Sequence, residues 1–188
     1  MTKFTIHNVE TAPEGSKETL QSVEQRFGMI PNLYGILAET PIAVEAYNAL
    51  ANLVMRASLT PEERHVVWFT INAYHECHYC MAAHTLVAKG EKISEEVIET
   101  ARRVGSYADP KLEALRVFTL AMTEKRGWTS PEELDAFLAA GFTNQQVLEI
   151  VVVMAHKVIS NYTNHMVNTP VDDAFKPFTW TKSEATAA

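Results

Sequence analysis

The sequence predicts an all-α fold, and three observations carry that expectation. Proline stands at a first helical position behind a capping side chain at Thr40–Pro41, Thr60–Pro61, Asp109–Pro110 and Ser130–Pro131. Glycines at 28, 90, 105, 127 and 141 follow periodic stretches, where a helix stop is expected. No alternating strand pair with a hairpin turn occurs anywhere.

Taken in order, the periodicity and punctuation predict helices near 14–27, 41–57, 61–74, 77–89, 94–104, 110–126, 131–140 and 144–164. Thr60 with Glu63, and Thr143 with Gln146, have capping-box spacing at the starts of two of them. In SEEVIETARRVG, Val97, Ala101 and Val104 share one face and charges the other. The stretch GMIPNLYG (28–35) reads as an ordered loop, because Ile30 precedes a proline and is pushed from helical angles. The tail from Pro170 carries Phe175, Phe178 and Trp180 without helical spacing. Packing onto the domain or onto a neighbouring subunit is expected of it, the neighbour being favoured.

A chain of 188 residues, 47% apolar and 21% charged, is enough to bury one ordinary core. We read 1–188 as a single domain with its core at about 25–173 and the tail at 174–188. A net charge of −7 with scattered basic residues argues against a nucleic-acid surface. Runs such as VLEIVVVMA are too short to span a bilayer, and the first ten residues lack a signal-type apolar run, so the cytosol is expected.

Placing Thr60 over Thr143 brings LTPEERHVVWFTINAYHECHYC onto FTNQQVLEIVVVMAHKVISNYT. Each is a capped apolar helix running into a polar cluster that contains tyrosine. Either this is an internal duplication or two buried helices simply look alike. If it is a duplication, only the first copy kept its cysteines, since Ser160 and Thr163 stand opposite Cys77 and Cys80.

Chemistry concentrates in HECHYCMAAH, which holds both cysteines and three of the seven histidines. On one helix Cys77 and Cys80 share a face a turn apart, and His84 lies a further turn along, close enough to reach the Cys80 sulfur. The preceding AYHE predicts a break near His75–Glu76, which would put Cys77 at a helix N-terminus, where unpaired N–H groups favour a thiolate. Lowering a thiol from about 8.5 by two units is worth roughly 2.7 kcal/mol and makes it mostly ionised at neutral pH. An activated thiol beside a second can be oxidised to a sulfenic acid and then closed to a disulfide. His75, Cys77, His78, Cys80 and His84 are also adequate ligands for zinc or copper, although no further cysteine remains to complete a structural zinc site. An inert buried pair, and a non-enzymatic redox switch that oxidises without turning over, are further readings.

CHYCMAAH within LTPEERHVVWFTINAYHECHYCMAAHTLVAKG, with MIPNLYGILAETP before it and NYTNHMVNTPVD after it, resembles the AhpD-like alkylhydroperoxidases of the carboxymuconolactone decarboxylase-like family. That resemblance implies an all-helical duplicated fold, thiol peroxidase activity without metal or other cofactor, and assembly into trimers or hexamers. It also implies Cys80 as the peroxide-attacking sulfur, Cys77 as the resolving one and His84 as the base. His65 occupies the place where relatives often carry a relay glutamate, and is the candidate proton-relay residue. The partners implied are a small hydroperoxide and a thiol or disulfide reductant; no Gly-rich phosphate loop is present, so electrons must come from a partner thiol. Decarboxylation is the weaker inheritance, because family decarboxylases lack the cysteine pair. The polar cluster Asn161, Tyr162, Asn164 and His165 either closes the last helix or lines a pocket, and Trp68 and Phe69 are expected in the core.

Overall fold

The computed structural model describes residues 4–182. The first three residues of the leader reading and the last six of the tail lie outside the described residues. Nine α-helices follow one another among them: α1 (Glu14–Phe27), α2 (Asn32–Leu37), α3 (Pro41–Val54), α4 (Pro61–Tyr74), α5 (His78–Gly90), α6 (Glu95–Arg102), α7 (Pro110–Glu124), α8 (Pro131–Ala139) and α9 (Asn144–Val167). A 3-10 turn, Lys176–Phe178, ends the order.

The expected starts hold because each proline removes an N–H that the helix could not use, while at every one but Thr40 the residue before it satisfies another. Thr60, Ser130 and Thr143 each form a complete capping box, and the Asp109 carboxylate accepts from the N–H groups of Lys111 and Leu112. Gly28 and Gly141 sit at left-handed φ of 70° and 95°, as a helix stop requires. Three of the glycine stops are displaced. Gly90 remains inside α5 while Lys92 takes the left-handed turn, and Gly105 and Gly127 follow Val104 and Arg126, which each take it at φ 55°. The reading of 28–35 as a loop is also corrected. Helix α2 begins directly after Pro31, and every residue from Leu33 to Leu37 is buried. A six-residue helix has little stability of its own, so packing against α3 and α9 holds it.

Helix α4 lies at the centre, against α5, α6, α7 and α9, and is buried without interruption from Glu63 to Ala73. That enclosure explains why its apolar period is weak. Two cores flank it. In one, Phe69, Leu115, Ile150 and Val153 surround a stack in which Phe137 lies 4.2 Å from Phe118 and 4.4 Å from Phe142. The other joins Leu20, Val23, Leu37, Val44 and Tyr47 from α1–α3 to Cys77, Tyr79 and Cys80 of α5 and to Phe175 of the tail. Trp68 and Phe69 are core residues, as expected.

The tail packs on its own chain, which corrects the preference for a neighbouring subunit. Trp180 Nε1 donates to the Arg102 carbonyl at 2.7 Å, Phe175 meets Tyr79 edge-on, and both aromatics are buried. No single helix among the described residues is long and apolar enough to cross a membrane.

Candidate active site

The break predicted after α4 is present and has a defined cause. His75 caps the helix, Glu76 adopts the left-handed φ of 54°, and the next amide, Cys77 N–H, returns to the Asn72 carbonyl at 2.9 Å. Glu76 N–H bonds Ala73 O in the same motif, a helix stop built without glycine. The residue that completes this stop, Cys77, is also the N-cap of α5. One turn on, Cys80 lies beside it, and the two free thiols are 1% and 2% exposed.

Helix α9 faces them. The Nδ2 groups of Asn161 and Asn164 donate to Cys80 Sγ at 3.0 and 3.2 Å, and Asn164 Nδ2 lies 3.9 Å from Cys77 Sγ. The second hydrogen of Asn161 Nδ2 goes to Asn72 Oδ1 at 3.1 Å, which ties the donor to α4. Residues 157, 160, 161 and 164 fall on one face of a helix, and all four are buried here.

The electrostatics separate the two sulfurs. Burial pushes Cys80 up, but a hydrogen bond from the Cys77 thiol, the Lys157 charge and the two asparagine amides outweigh it and hold Cys80 down to about 5. Cys77 moves the opposite way: its bond to Cys80, its burial and the nearby negative sulfur all raise it. The N-cap position expected for Cys77 is found, and there the adjacent Cys80 sulfur and its own burial push the thiol up.

His84 does not hydrogen-bond to either sulfur among the described residues. Its Nε2 accepts from Lys157 Nζ at 2.9 Å, and its ring lies 4.7 Å from Trp68 and 6.5 Å from His65. Since Nε2 accepts, Nδ1 carries the ring hydrogen; it is buried without a partner. Burial first, then Lys157 and two neighbouring histidines, keep His84 well below the usual histidine range. His65, fully enclosed, reaches Glu91 Oε2 at 3.3 Å and is lowered to about 4, chiefly by burial. Glu62 and Glu63, its neighbours in sequence, turn to Ser94 and Lys111 instead.

Sequence reasoning missed Lys157 and Glu91 and gave Asn161 and Asn164 no definite role. The signal for Lys157 was available: a lone charge in VVVMAHKVIS, with the asparagines four and seven residues on. The metal reading is not supported by the geometry. Among the described residues no three His, Cys, Asp or Glu side chains come together for an ion, and His78 turns away to the Trp180 carbonyl at 2.8 Å.

Fold and site together define a helical protein with a buried, unequal cysteine pair on an AhpD-like scaffold. Residues 41–121, which include both cysteines and His84, match the carboxymuconolactone decarboxylase family. The structure is similar to the alkylhydroperoxidase AhpD core of an uncharacterized peroxidase-related protein from Ralstonia eutropha JMP134, with TM-score 0.81 and 21% identity over 93% of this chain and 94% of that one. It is similar also to the debrominase Bmp8, in a Cys-to-Ala variant complexed with 2,3,4-tribromopyrrole (TM-score 0.79, 15% identity, 95% and 96% covered). A peroxidase-related protein from Silicibacter sp. TM1040 aligns with TM-score 0.76 and 16% identity over 92% and 94%. No curated protein matches the sequence. The chain therefore shares the all-α fold of the AhpD-like structures, and its residues 41–121 are similar to the carboxymuconolactone decarboxylase family.

Proposed function

We propose that the protein is a thiol-dependent peroxidase acting on small organic hydroperoxides. The observation that carries this reading is the asymmetry of the pair: the Asn161 and Asn164 amides both donate to Cys80 Sγ, at 3.0 and 3.2 Å, whereas Asn164 comes only within 3.9 Å of Cys77, and those donors favour a thiolate on Cys80. In the first step the Cys80 thiolate attacks the outer peroxide oxygen; an S–O bond forms, the O–O bond breaks and the alkoxide leaves as an alcohol once protonated. In the second step Cys77 attacks the sulfenic sulfur; S–S forms, S–O breaks, and the hydroxide leaves as water with the Cys77 proton. An external dithiol then reduces the disulfide by exchange and leaves oxidised.

The cysteines belong to a buried apolar cluster with Leu33, Tyr34, Leu37 and Tyr47, surroundings that favour an uncharged organic group. Asn161 Oδ1 and Asn164 Oδ1 are buried without partners, and either can accept the O–H of a hydroperoxide. The apolar stripe Leu148, Val151, Val158, Tyr162 and Met166, exposed along α9, supports the trimer or hexamer reading. A reducing compartment such as the cytosol suits the free thiols.

Steady-state consumption of tert-butyl hydroperoxide with a dithiol tests the assignment. Cys80→Ser is expected to lower turnover by about a thousandfold or more, and Cys77→Ser to allow about one equivalent before stopping at sulfenic or sulfinic acid, read by mass. Wild-type rates in Cys80→Ser, or no peroxide consumption by the wild type, would overturn it. A parallel assay for bromide release from 2,3,4-tribromopyrrole asks whether the thiolate takes a halogen instead of an oxygen.

A further inference from the structure

Lys157 has no exposed surface, yet no carboxylate pairs with it among the described residues. Its ammonium donates to a neutral imidazole, His84 Nε2, at 2.9 Å. The titratable groups gathered here are Cys77, Cys80 and His84 from α5, His65 from α4, Tyr47 from α3 and His156 from α9 itself; His75 also feels the lysine charge. His156 is neutral, stacked on Tyr47 at 4.4 Å, with both ring nitrogens unpartnered. Tyr47 is protonated and His65 neutral at physiological pH. A cation taken out of water needs an opposing charge to persist. The Glu91 carboxylate is engaged by Arg64 and His65, so among the groups of this cluster the Cys80 sulfur is the one that can supply it; Lys157 shares an α9 face with Asn161 and Asn164, whose amides donate to that sulfur, and its charge reaches Cys80.

We infer that Lys157 is both the counter-ion of the Cys80 thiolate and the acid that protonates the departing alkoxide, so the enclosed site stays neutral through the whole cycle. The inference rests on the thiol-peroxidase reading above. At rest the site holds S⁻ and an ammonium. As the O–O bond breaks, the lysine proton goes to the alkoxide, leaving sulfenic acid and a neutral amine. Disulfide formation releases water, both of its hydrogens accounted for by the sulfenic O–H and the Cys77 thiol. The external dithiol returns Cys80 and Cys77 as thiols, and Cys80 hands its proton back to the amine. No proton need enter from solvent at any step. His84 is then a positioning residue: its lone pair holds the ammonium in place and takes no proton.

Three variants of the full-length chain separate the parts. Lys157→Met removes charge and acid at similar volume; Lys157→Arg keeps charge but is a poor acid; His84→Gln tests positioning. In Lys157→Met the pH midpoint for Cys80 alkylation by iodoacetamide is expected to rise by about two units or more, and in Lys157→Arg to change little. Above those midpoints, single-turnover oxidation by tert-butyl hydroperoxide should fall about 100-fold or more in both variants. Oxidation by peroxyacetic acid, whose carboxylate leaves without a proton, should fall less than about tenfold. His84→Gln, which can still accept from the lysine, should keep the low midpoint. An unshifted midpoint in Lys157→Met, or equal losses with both oxidants, overturns the inference. Should Lys157→Met fail to fold, wild type oxidised in weak buffer decides: no proton taken up per disulfide is expected, and uptake of one overturns it. Normal wild-type turnover with an unshifted Lys157→Met removes the lysine assignment alone. A shifted midpoint in a protein that consumes no peroxide removes the peroxidase reading alone.

Discussion

The two segments that echo each other in sequence part company in structure at one residue. Around Glu76 the first segment breaks, turning into a new helix whose cap is Cys77; at the corresponding place α9 runs on unbroken through Ser160 to Val167. The break gives two thiols a shared turn. The continuity gives a straight face from which a cation and two amides are held at fixed spacing. Each segment lacks what the other has, and the candidate site forms where they meet. The second segment, which has no cysteine, supplies the surroundings of the cysteines in the first.

Breaking α9 as the first segment is broken should have the largest effect. Ser160→Pro removes an interior hydrogen bond and clashes with the preceding turn, at a cost of about 3 kcal/mol or more. For a chain of this size that lowers Tm by about 10 °C, measurable by calorimetry, and Cys80 should lose its low alkylation midpoint with it. An unchanged midpoint would show that the face of α9 matters less than its individual side chains.

Acid sharpens the comparison next, since both segments bury neutral imidazole. His156 of α9 is lowered to about 3, and His65 of α4 to about 4, both mainly by burial. The unfolded chain takes up these protons near pH 6.5 while the folded chain does not, so stability is full above that pH and falls as pH drops from about 6.5 towards 4. At pH 5 this is about 2 kcal/mol for His156. Denaturant midpoints at pH 7 and 5 should show the fall, and His156→Leu should flatten it. Equal slopes in both proteins would place the acid sensitivity elsewhere.

The smallest effect tests the break itself. Glu76→Gly relieves a left-handed backbone in a side-chain-bearing residue and gives up only an exposed 3.3 Å pair with Lys182. A gain of about 0.5–1 kcal/mol, or about 2 °C in Tm, is expected without change in thiol reactivity. A loss of stability would mean that the Lys182 contact outweighs the backbone strain.

The helix starts were legible because capping is local: Thr60, Ser130 and Thr143 act within their own first turns. Their ends were less so, because the left-handed residue need not be glycine, as Lys92 and Val104 show. Helix α2 was hidden since its stability comes from burial by distant elements. At the site, the spacing of Cys77, Cys80 and His84 along one helix was readable, and so was the break before it. What His84 touches was not. Its partner, Lys157, lies on another helix whose crossing with α5 no local pattern encodes.

Both sulfurs are almost wholly covered, and this bears on selectivity before any bond is made. Any group that reaches them must leave water behind, which weighs far more heavily on an ion than on an uncharged molecule. On the thiol-peroxidase reading, this coverage favours an uncharged hydroperoxide over a charged one.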